Sequence, residues 1–418
     1  MLMKPYEKYK DSGVEWIGKV PEHWEVKRLK WIGFFRSGEG ITSEMIFPEG
    51  DFPVFGGNGI RGFYNKFTHD GTFILIGRQG ALCGNIQYGK GKFWASEHAI
   101  VVHPLVEYAV IFLGELLRSM NLNQYSVAAA QPGLSVEMIK NLKIPFPPLP
   151  EQTAIARYLD QKTSEIDQLI AQKERLLALW EEEKTALINQ AVTRGLDAGA
   201  KMKDSGVAWL GEVPEHWEVK RLKYVGEINP TKDFDFEYDT ETLCTFLPME
   251  KVSEEGEIDC SIKKPVSELV SGFTFFKKND VIVAKITPCF ENGKGAILEK
   301  LDTDFGFGST EFHVIRPKND VLGKFLYFLT KSEIFMNMGE AMMIGSAGQK
   351  RVPTDFIRNF TVSLPKLLEQ TAIVRHIETQ TARIQTQMNQ TRKLIELLRE
   401  YRATLISEVV TGKVKITE

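Results

Sequence analysis

The sequence predicts an α+β fold. Two mixed α/β heads stand in tandem, each followed by a long α-helix, and the two helices pair as an antiparallel coiled coil with pseudo-twofold symmetry. Three observations carry this. A 21-residue segment occurs twice with 18 positions identical: Lys10–Lys30 (KDSGVEWIGKVPEHWEVKRLK) and Lys203–Lys223 (KDSGVAWLGEVPEHWEVKRLK), at an offset of 193. A second block, Pro150–Ile155 (PEQTAI) and Leu368–Ile373 (LEQTAI), recurs at an offset of 218, so 25 extra residues lie inside the second head. After each of these blocks the apolar residues fall at three-and-four spacing, the mark of a helix that buries one stripe.

The seam of the first helix reads Ile155, Leu159, Ile166, Leu169, Leu176, Trp180 and Leu187. That of the second reads Ile373, Ile377, Ile384, Leu394, Leu398 and Leu405. The heptad-like register predicts that the helices pack on each other. The Thr- and Gln-rich stretch Thr379–Thr391 is a weak point in the second seam. The first helix starts after Pro148–Pro150, where proline is tolerated, and ends near Arg194-Gly195 with Gly195 as C-cap. The second runs to about Thr411-Gly412. At roughly 40 residues each they are about 60 Å long. The expected organisation is a first head at 1–150, a first helix at 151–195, a second head at 196–367, and a second helix with a tail at 368–418. An antiparallel pair would set the heads at opposite ends of a rod.

Within the heads, Thr72–Ile76 and Asp280–Ala284 read as buried strands, Glu107–Ser119 and Leu322–Met338 as helices. The heads diverge where their flanks do not. Ile76-Gly77-Arg78-Gln79-Gly80 stands against Ala284-Lys285-Ile286-Thr287-Pro288, and Trp94–His98 against Gly308–Phe312. A constant frame around unlike heads fits two different ligands of one class.

Composition is that of an ordinary globular chain, 43% hydrophobic and 26% charged. No apolar run at the N-terminus suggests a signal peptide, and the longest apolar stretch, near Tyr108–Leu117, is too short to span a bilayer. The four cysteines, Cys83, Cys244, Cys260 and Cys289, are scattered without a C-x-x-C pair, which indicates neither a zinc knuckle nor a disulfide framework and suits a cytoplasmic protein. The formal net charge is −3. Residues 1–150 carry 16 Lys/Arg against 14 Asp/Glu, and residues 198–365 carry 21 against 26. Non-specific DNA affinity comes from neutralising phosphates. If the chain holds DNA, its cations must be gathered on one face or partners must supply part of the grip.

Arg pairs bidentately with guanine, Gln or Asn with adenine, and Lys or Thr with bases or phosphates. By residue type the candidates in head one are Arg61, Lys66, Arg78, Gln79, Lys90 and Lys92. In head two they are Lys285, Thr287, Lys294, Lys350 and Arg351. Gln131 and Gln349 are equivalent across the copies and suit either a contact or a structural role. Catalytic motifs are harder to find. Gly57–Gly62 fits G-x-G-x-x-G, but the following Phe63–Lys66 reads as strand or turn rather than the helix a dinucleotide site needs. Phe305–Gly308 only faintly resembles a methyl-donor glycine motif, and Asn229-Pro230-Thr231, the nearest segment to an N-P-P-Y-type motif, fails to match it. His23 and His216, in duplicated Pro-Glu-His-Trp segments, read as packing residues, and Trp16, Trp24, Trp209 and Trp217 as core anchors.

Taken together, the duplicated opening segments, Lys285–Lys294 (KITPCFENGK), Gly308–Phe312 (GSTEF), Ile144–Gln152 (IPFPPLPEQ) and Val409–Lys413 (VVTGK) resemble the DNA specificity subunit of type I restriction–modification enzymes, over essentially the whole chain. Leu364–Leu368 departs from that pattern by lacking the first copy's proline run, which leaves the start of the second helix open. The resemblance implies that each head is a target recognition domain reading one half of a bipartite, asymmetric site in double-stranded DNA, with the coiled coil fixing the spacing. It implies two methyltransferase subunits using S-adenosylmethionine to methylate adenine, and two restriction subunits using ATP with Mg2+. This chain would then be non-catalytic, with no cofactor, metal or membrane of its own. Two other readings stand beside it: a single-chain methyltransferase or nuclease, and a coiled-coil scaffold that never touches DNA.

Overall fold

In the computed structural model the described residues are 4–80, 82–126, 133–232, 240–346 and 348–416. Two α-helices dominate, Leu149–Arg194 and Leu367–Val410. Contacts divide the chain into two compact units, Met1–Glu174 with Arg392–Glu418, and Arg175–Thr391. Each unit therefore holds one head, the start of the helix that follows it, and the end of the other helix.

The duplicated blocks form one device, built twice. In unit 1, Glu151 accepts hydrogen bonds from Trp24 Nε1 at 3.1 Å and pairs with His23 Nε2 at 2.9 Å. In unit 2, Glu369 takes Trp217 Nε1 at 3.0 Å and His216 Nε2 at 2.8 Å. Both tryptophans are fully buried. The next residue satisfies buried backbone: Gln152 donates to Pro147 O and accepts from Ala109 N, while Gln370 donates to Pro365 O and accepts from Leu322 N. A buried amide costs stability unless it is bonded in this way. The second helix starts as the first does, although its proline run is missing. The amides of Glu369 and Gln370 donate to Lys366 O, as those of Glu151 and Gln152 donate to Pro148 O. Each long helix ends in a left-handed glycine, Gly195 (φ 77°) and Gly412 (φ 75°). A Cβ there would sit 3.1 Å from the Trp217 ring and 3.0 Å from the Trp24 ring respectively, so glycine also lets each helix end seat on its tryptophan.

Each helix buries one stripe. In the second helix it runs Ile377, Thr381, Ile384, Met388, Thr391, Ile395, Leu398, Arg402, Leu405, Val409, alternating steps of four and three. Thr379–Thr391 is thus no gap: Met388 is fully buried and Thr391 nearly so. Leu394 was expected in this seam and instead faces solvent, because Ile395 holds the heptad position. Leu169 is likewise exposed, with Ile166 and Ile170 on the buried side. Ile155, Leu159, Ile373, Ile384 and Leu405 are buried as expected, and Leu176, Trp180 and Leu187 are half-buried beside the fully packed Ile188, Ala191 and Val192. In unit 1 the bonds Arg402–Asp167 and Arg399–Glu174, both 2.8 Å, climb one helix as they descend the other, so these stretches run antiparallel.

The head of unit 1 is a six-stranded sheet in the order Gly33–Ser37, Ala99–Pro104, His69–Gly77, Ile86–Ala95, Phe52–Gly56, Gly59–Tyr64. The long strand Ile86–Ala95 pairs antiparallel with His69–Gly77 and, at its end, parallel with Phe52–Gly56. In unit 2 the corresponding strand is interrupted. Gly295–Ile297 pairs with Val281–Ala284, the chain leaves at Leu298–Asp304, and Phe305–Gly308 then pairs parallel with Leu243–Leu247. The result is two four-stranded sheets: Gly226–Ile228, Phe312–Pro317, Val281–Ala284, Gly295–Ile297, and Lys263–Pro265, Leu243–Leu247, Phe305–Gly308, Thr274–Lys277. The helix expected over Leu322–Met338 is two, Gly323–Thr330 and Glu333–Ala341. Ser332 breaks the run because its side chain caps Phe335 N, starting a new helix. The helix expected from Glu107 begins at Val110. Gly57–Gly62 forms a hairpin turn and the strand after it, so no helix follows that glycine motif. Among the described residues no helix is long and apolar enough to cross a membrane.

Candidate nucleic-acid interface

Equivalent backbone hydrogen bonds build the same loop frame at one end of the sheet in each unit. In unit 1, Arg78 N donates to His98 O (2.8 Å), Leu134 N to Arg78 O (2.9 Å), Gly77 N to Asn85 O (2.9 Å) and Ser96 N to Phe55 O (2.9 Å). In unit 2, Lys285 N donates to Glu311 O (2.8 Å), Val352 N to Lys285 O (2.8 Å), Ala284 N to Lys294 O (2.9 Å) and Ser309 N to Leu247 O (3.0 Å). Isolated bridges complete the match, Gln79 with Gly133 and Ile286 with Arg351. The frame is held by backbone, and backbone bonds are indifferent to side chain. The positions it presents have diverged: Arg78 against Lys285, Gln79 against Ile286, His98 against Glu311, Gly133 against Arg351.

The side chains are locked differently. In unit 1, Gln79 Oε1 lies 3.0 Å from His98 Nδ1, and Asn85 Nδ2 donates to Asn58 Oδ1 at 2.6 Å. The Gly57 turn approaches so closely that a Cβ on Gly77 would lie 2.1 Å from Gly57 O. In unit 2, Thr287 N donates to Lys350 O (3.0 Å), and Thr287 Oγ1 accepts from Lys350 N (3.1 Å). Arg351 binds the Glu311 carboxylate through Nε and Nη2 at 2.8–3.2 Å. That pairing and its charge hold the Glu311 carboxyl below its ordinary range. Beneath it the buried His313 donates from Nε2 to Val352 O at 2.9 Å, and its Nδ1 faces Asn229 Nδ2 at 3.3 Å.

The structure sorts the candidates. Arg61, Arg78 and Gln79 lie at the loop end of the first sheet, and Arg61 packs along Gly56. Lys90 and Lys92 oppose Thr72 and Asp70 on the long hairpin, about 20 and about 26 Å along the strands from Arg78 at about 3.3 Å per residue. Lys92 sits 4.8 Å over the Phe67 ring, beside the exposed Lys66. These three lysines do not join the loop cluster. In unit 2, Lys285, Thr287, Gln349, Lys350 and Arg351 come together on the frame, with Gln349 and Lys350 exposed. Lys294 is turned inward, its Nζ on Met249 O at 3.1 Å. Gln131 lies outside the described residues. His98 and Glu311 were missed as candidates. Their signal was present in the diverged segments after the shared serine, Ser96 and Ser309, but reading it needed the one-residue register that the backbone bonds supply.

Burial holds His313 below the ordinary histidine value, and burial together with neighbouring cationic groups does the same for His69 and His103. A histidine lowered in the folded state binds fewer protons than its unfolded counterpart, so stability is lost as pH falls below the unfolded value of about 6.5. The melting temperature is expected to drop between about pH 7 and about pH 5.5; a flat profile would show these rings are not held neutral.

Comparison with known proteins agrees with this duplicated frame. Residues 21–178 and 214–397 match the type I restriction modification DNA specificity domain, and the chain belongs to that family. The type I restriction enzyme EcoAI specificity subunit of Escherichia coli is 42% identical over 166 residues, 39% of this chain and 28% of that protein. The EcoprrI specificity subunit of Escherichia coli is 41% identical over 38% of this chain and 41% of its own length. The chain thus spans well under half of these two relatives. The MjaVIII specificity subunit of Methanocaldococcus jannaschii is 25% identical over 95% of this chain and 94% of its own. Two solved structures share the fold. One, from work on complex assembly and conformational transition of the type I R-M system, has TM-score 0.68 at 14% identity, covering 94% of this chain and 98% of that one. The HsdS subunit from Thermoanaerobacter tengcongensis has TM-score 0.53 at 15% identity with the same coverage.

Proposed function

We propose that this chain is the non-catalytic specificity subunit of a type I restriction–modification enzyme, recognising a bipartite asymmetric DNA site with one half per head. The observation that carries this is the pair of matching backbone frames presenting unlike side chains. One chemistry of recognition is kept while the sequence read differs. Arg61, Arg78 and Gln79 serve the first half; Lys285, Thr287, Gln349, Lys350 and Arg351 serve the second. Lys66, Lys90 and Lys92 supply phosphate contacts away from the bases. The two long helices pair along their stripes as an antiparallel coiled coil and set the spacer between half-sites.

Two methyltransferase subunits, with S-adenosylmethionine, and two restriction subunits, with ATP and Mg2+, dock on this frame. They supply the chemistry and the positive charge that the net charge of −3 does not. The natural setting is the cytoplasm, where the DNA lies. Comparing the methylome of the host with and without the gene tests the proposal. Deletion is expected to remove a single split adenine-methylation motif; an unchanged methylome would overturn it.

A further inference from the structure

We infer that Arg351 reads a guanine in the half-site of unit 2 and that Glu311 is the positioning residue that aims it; this rests on the DNA reading proposed above. Nε and Nη2 of Arg351 donate to the Glu311 carboxylate. A guanidinium is a rigid planar fork with five N–H groups. The carboxylate engages one edge, leaving Nη1 and the second N–H of Nη2 as two coplanar donors on the adjoining edge. Among the described residues those donors have no partner. Two parallel donors match the O6 and N7 acceptors that guanine shows in the major groove. Adenine shows N7 beside an N6 amino donor and would set donor against donor.

The backbone beneath is fixed on both sides. Arg351 N and O exchange hydrogen bonds with Ile344, at 2.9 and 3.0 Å, while Val352 N and Thr287 N tie the flanking residues to the opposite strand. Lys285 acts on the Glu311 carboxylate as a nearby cation, which offsets its charge near phosphates. The pair is not there to hold the fold. The frame-equivalent residues of unit 1 are His98 and Gly133, which cannot form it, and the Arg351 side chain is 44% exposed, where an ion pair adds little stability.

The test complements a gene-deletion strain with the full-length wild-type gene, R351A, R351K, E311A or E311Q, and maps methylated motifs genome-wide. Thermal melting of each purified chain checks folding. The wild-type motif is expected to contain a G·C pair that is the one position R351A relaxes, by about five- to 150-fold in preference there. E311A is expected to relax the same position less, and E311Q less again. R351K is expected not to restore discrimination, because an ammonium lacks two fixed donors. Melting temperatures stay unchanged throughout. A motif unaltered in R351A, relaxation at several positions, or a uniform loss of methylation at unchanged melting temperature would each overturn the assignment. Should R351A fold poorly, E311Q and R351K carry the same comparison. If even the wild-type gene restores no motif, the DNA reading itself fails; if the motif returns and R351A leaves it intact, only the Arg351 assignment does.

Discussion

Trp217→Ala is expected to destabilise unit 2 by about 3–5 kcal/mol, and Trp24→Ala to do the same in unit 1. Each ring is fully buried and joins the start of one long helix to the end of the other. Trp217 bonds Glu369 at the start of the second helix, packs under Gly195 at the end of the first, and belongs to the core that includes Leu222 and Phe325. Trp24 repeats this with Glu151, Gly412, Leu29 and Phe112. Removing the ring leaves a large cavity at the junction of head and helices, and leaves the glutamate without its buried donor. The collapse that sometimes softens such a loss is blocked because both helix ends are seated on the same ring. Urea unfolding of the two variants measures the effect. A loss below about 1 kcal/mol in either, or a large difference between them, would contradict the equivalence of the two junctions.

The second large effect concerns the helices. Duplicating seven residues in both, Lys173–Leu179 and Met388–Leu394, preserves the alternation of four and three that the buried stripe follows. Each helix then lengthens by about 10.5 Å, at 1.5 Å per residue. At about 3.4 Å per base pair, the spacer of the recognised motif is expected to grow by about three base pairs with both halves unchanged. Methylome mapping reads this directly. An unaltered spacer with methylation retained would refute the role of the helices as a ruler. Inserting four residues in one helix alone breaks the stripe's register and serves as the contrast, expected to abolish methylation.

Much of the frame was legible in the sequence because duplication marks it. The repeated Pro-Glu-His-Trp and Glu-Gln-Thr-Ala-Ile blocks proved to be the two halves of one contact, Trp24 to Glu151 and Trp217 to Glu369. The seam was legible where large aliphatics mark it, as at Ile155, Leu159, Ile373 and Ile377. It was misread at Leu394, where an adjacent leucine and isoleucine offer the same hydrophobicity and only the heptad continued from Met388 and Thr391 chooses between them. A threonine in a buried seam gives no hydrophobic signal at all.

The heads were less legible. Their strands are short, their pairing is non-local, and the interrupted strand after Ile297 has no counterpart in the first copy. Residue type gathered Arg78, Gln79 and Arg351, which lie on the loop frames, together with Lys90 and Lys92, which pairing register places far along the hairpin, and Lys294, whose ammonium serves a backbone carbonyl. Composition tells which residues can touch DNA. Which of them share a surface is decided by hydrogen bonds between segments far apart in sequence.

The most direct test of one half-site per head is to give both units the same head. The backbone frames coincide at Gly33 and Gly226 and again at Leu134 and Val352, so residues 226–352 can be replaced by residues 33–134 at matched junctions. Two like recognition modules related by a twofold axis read inverted half-sites. In a strain carrying this chimera, methylome sequencing is expected to show the asymmetric motif replaced by a symmetric one, with one original half present twice in opposite orientation. A motif that stays asymmetric, or in which both original halves persist, would contradict reading by separate heads.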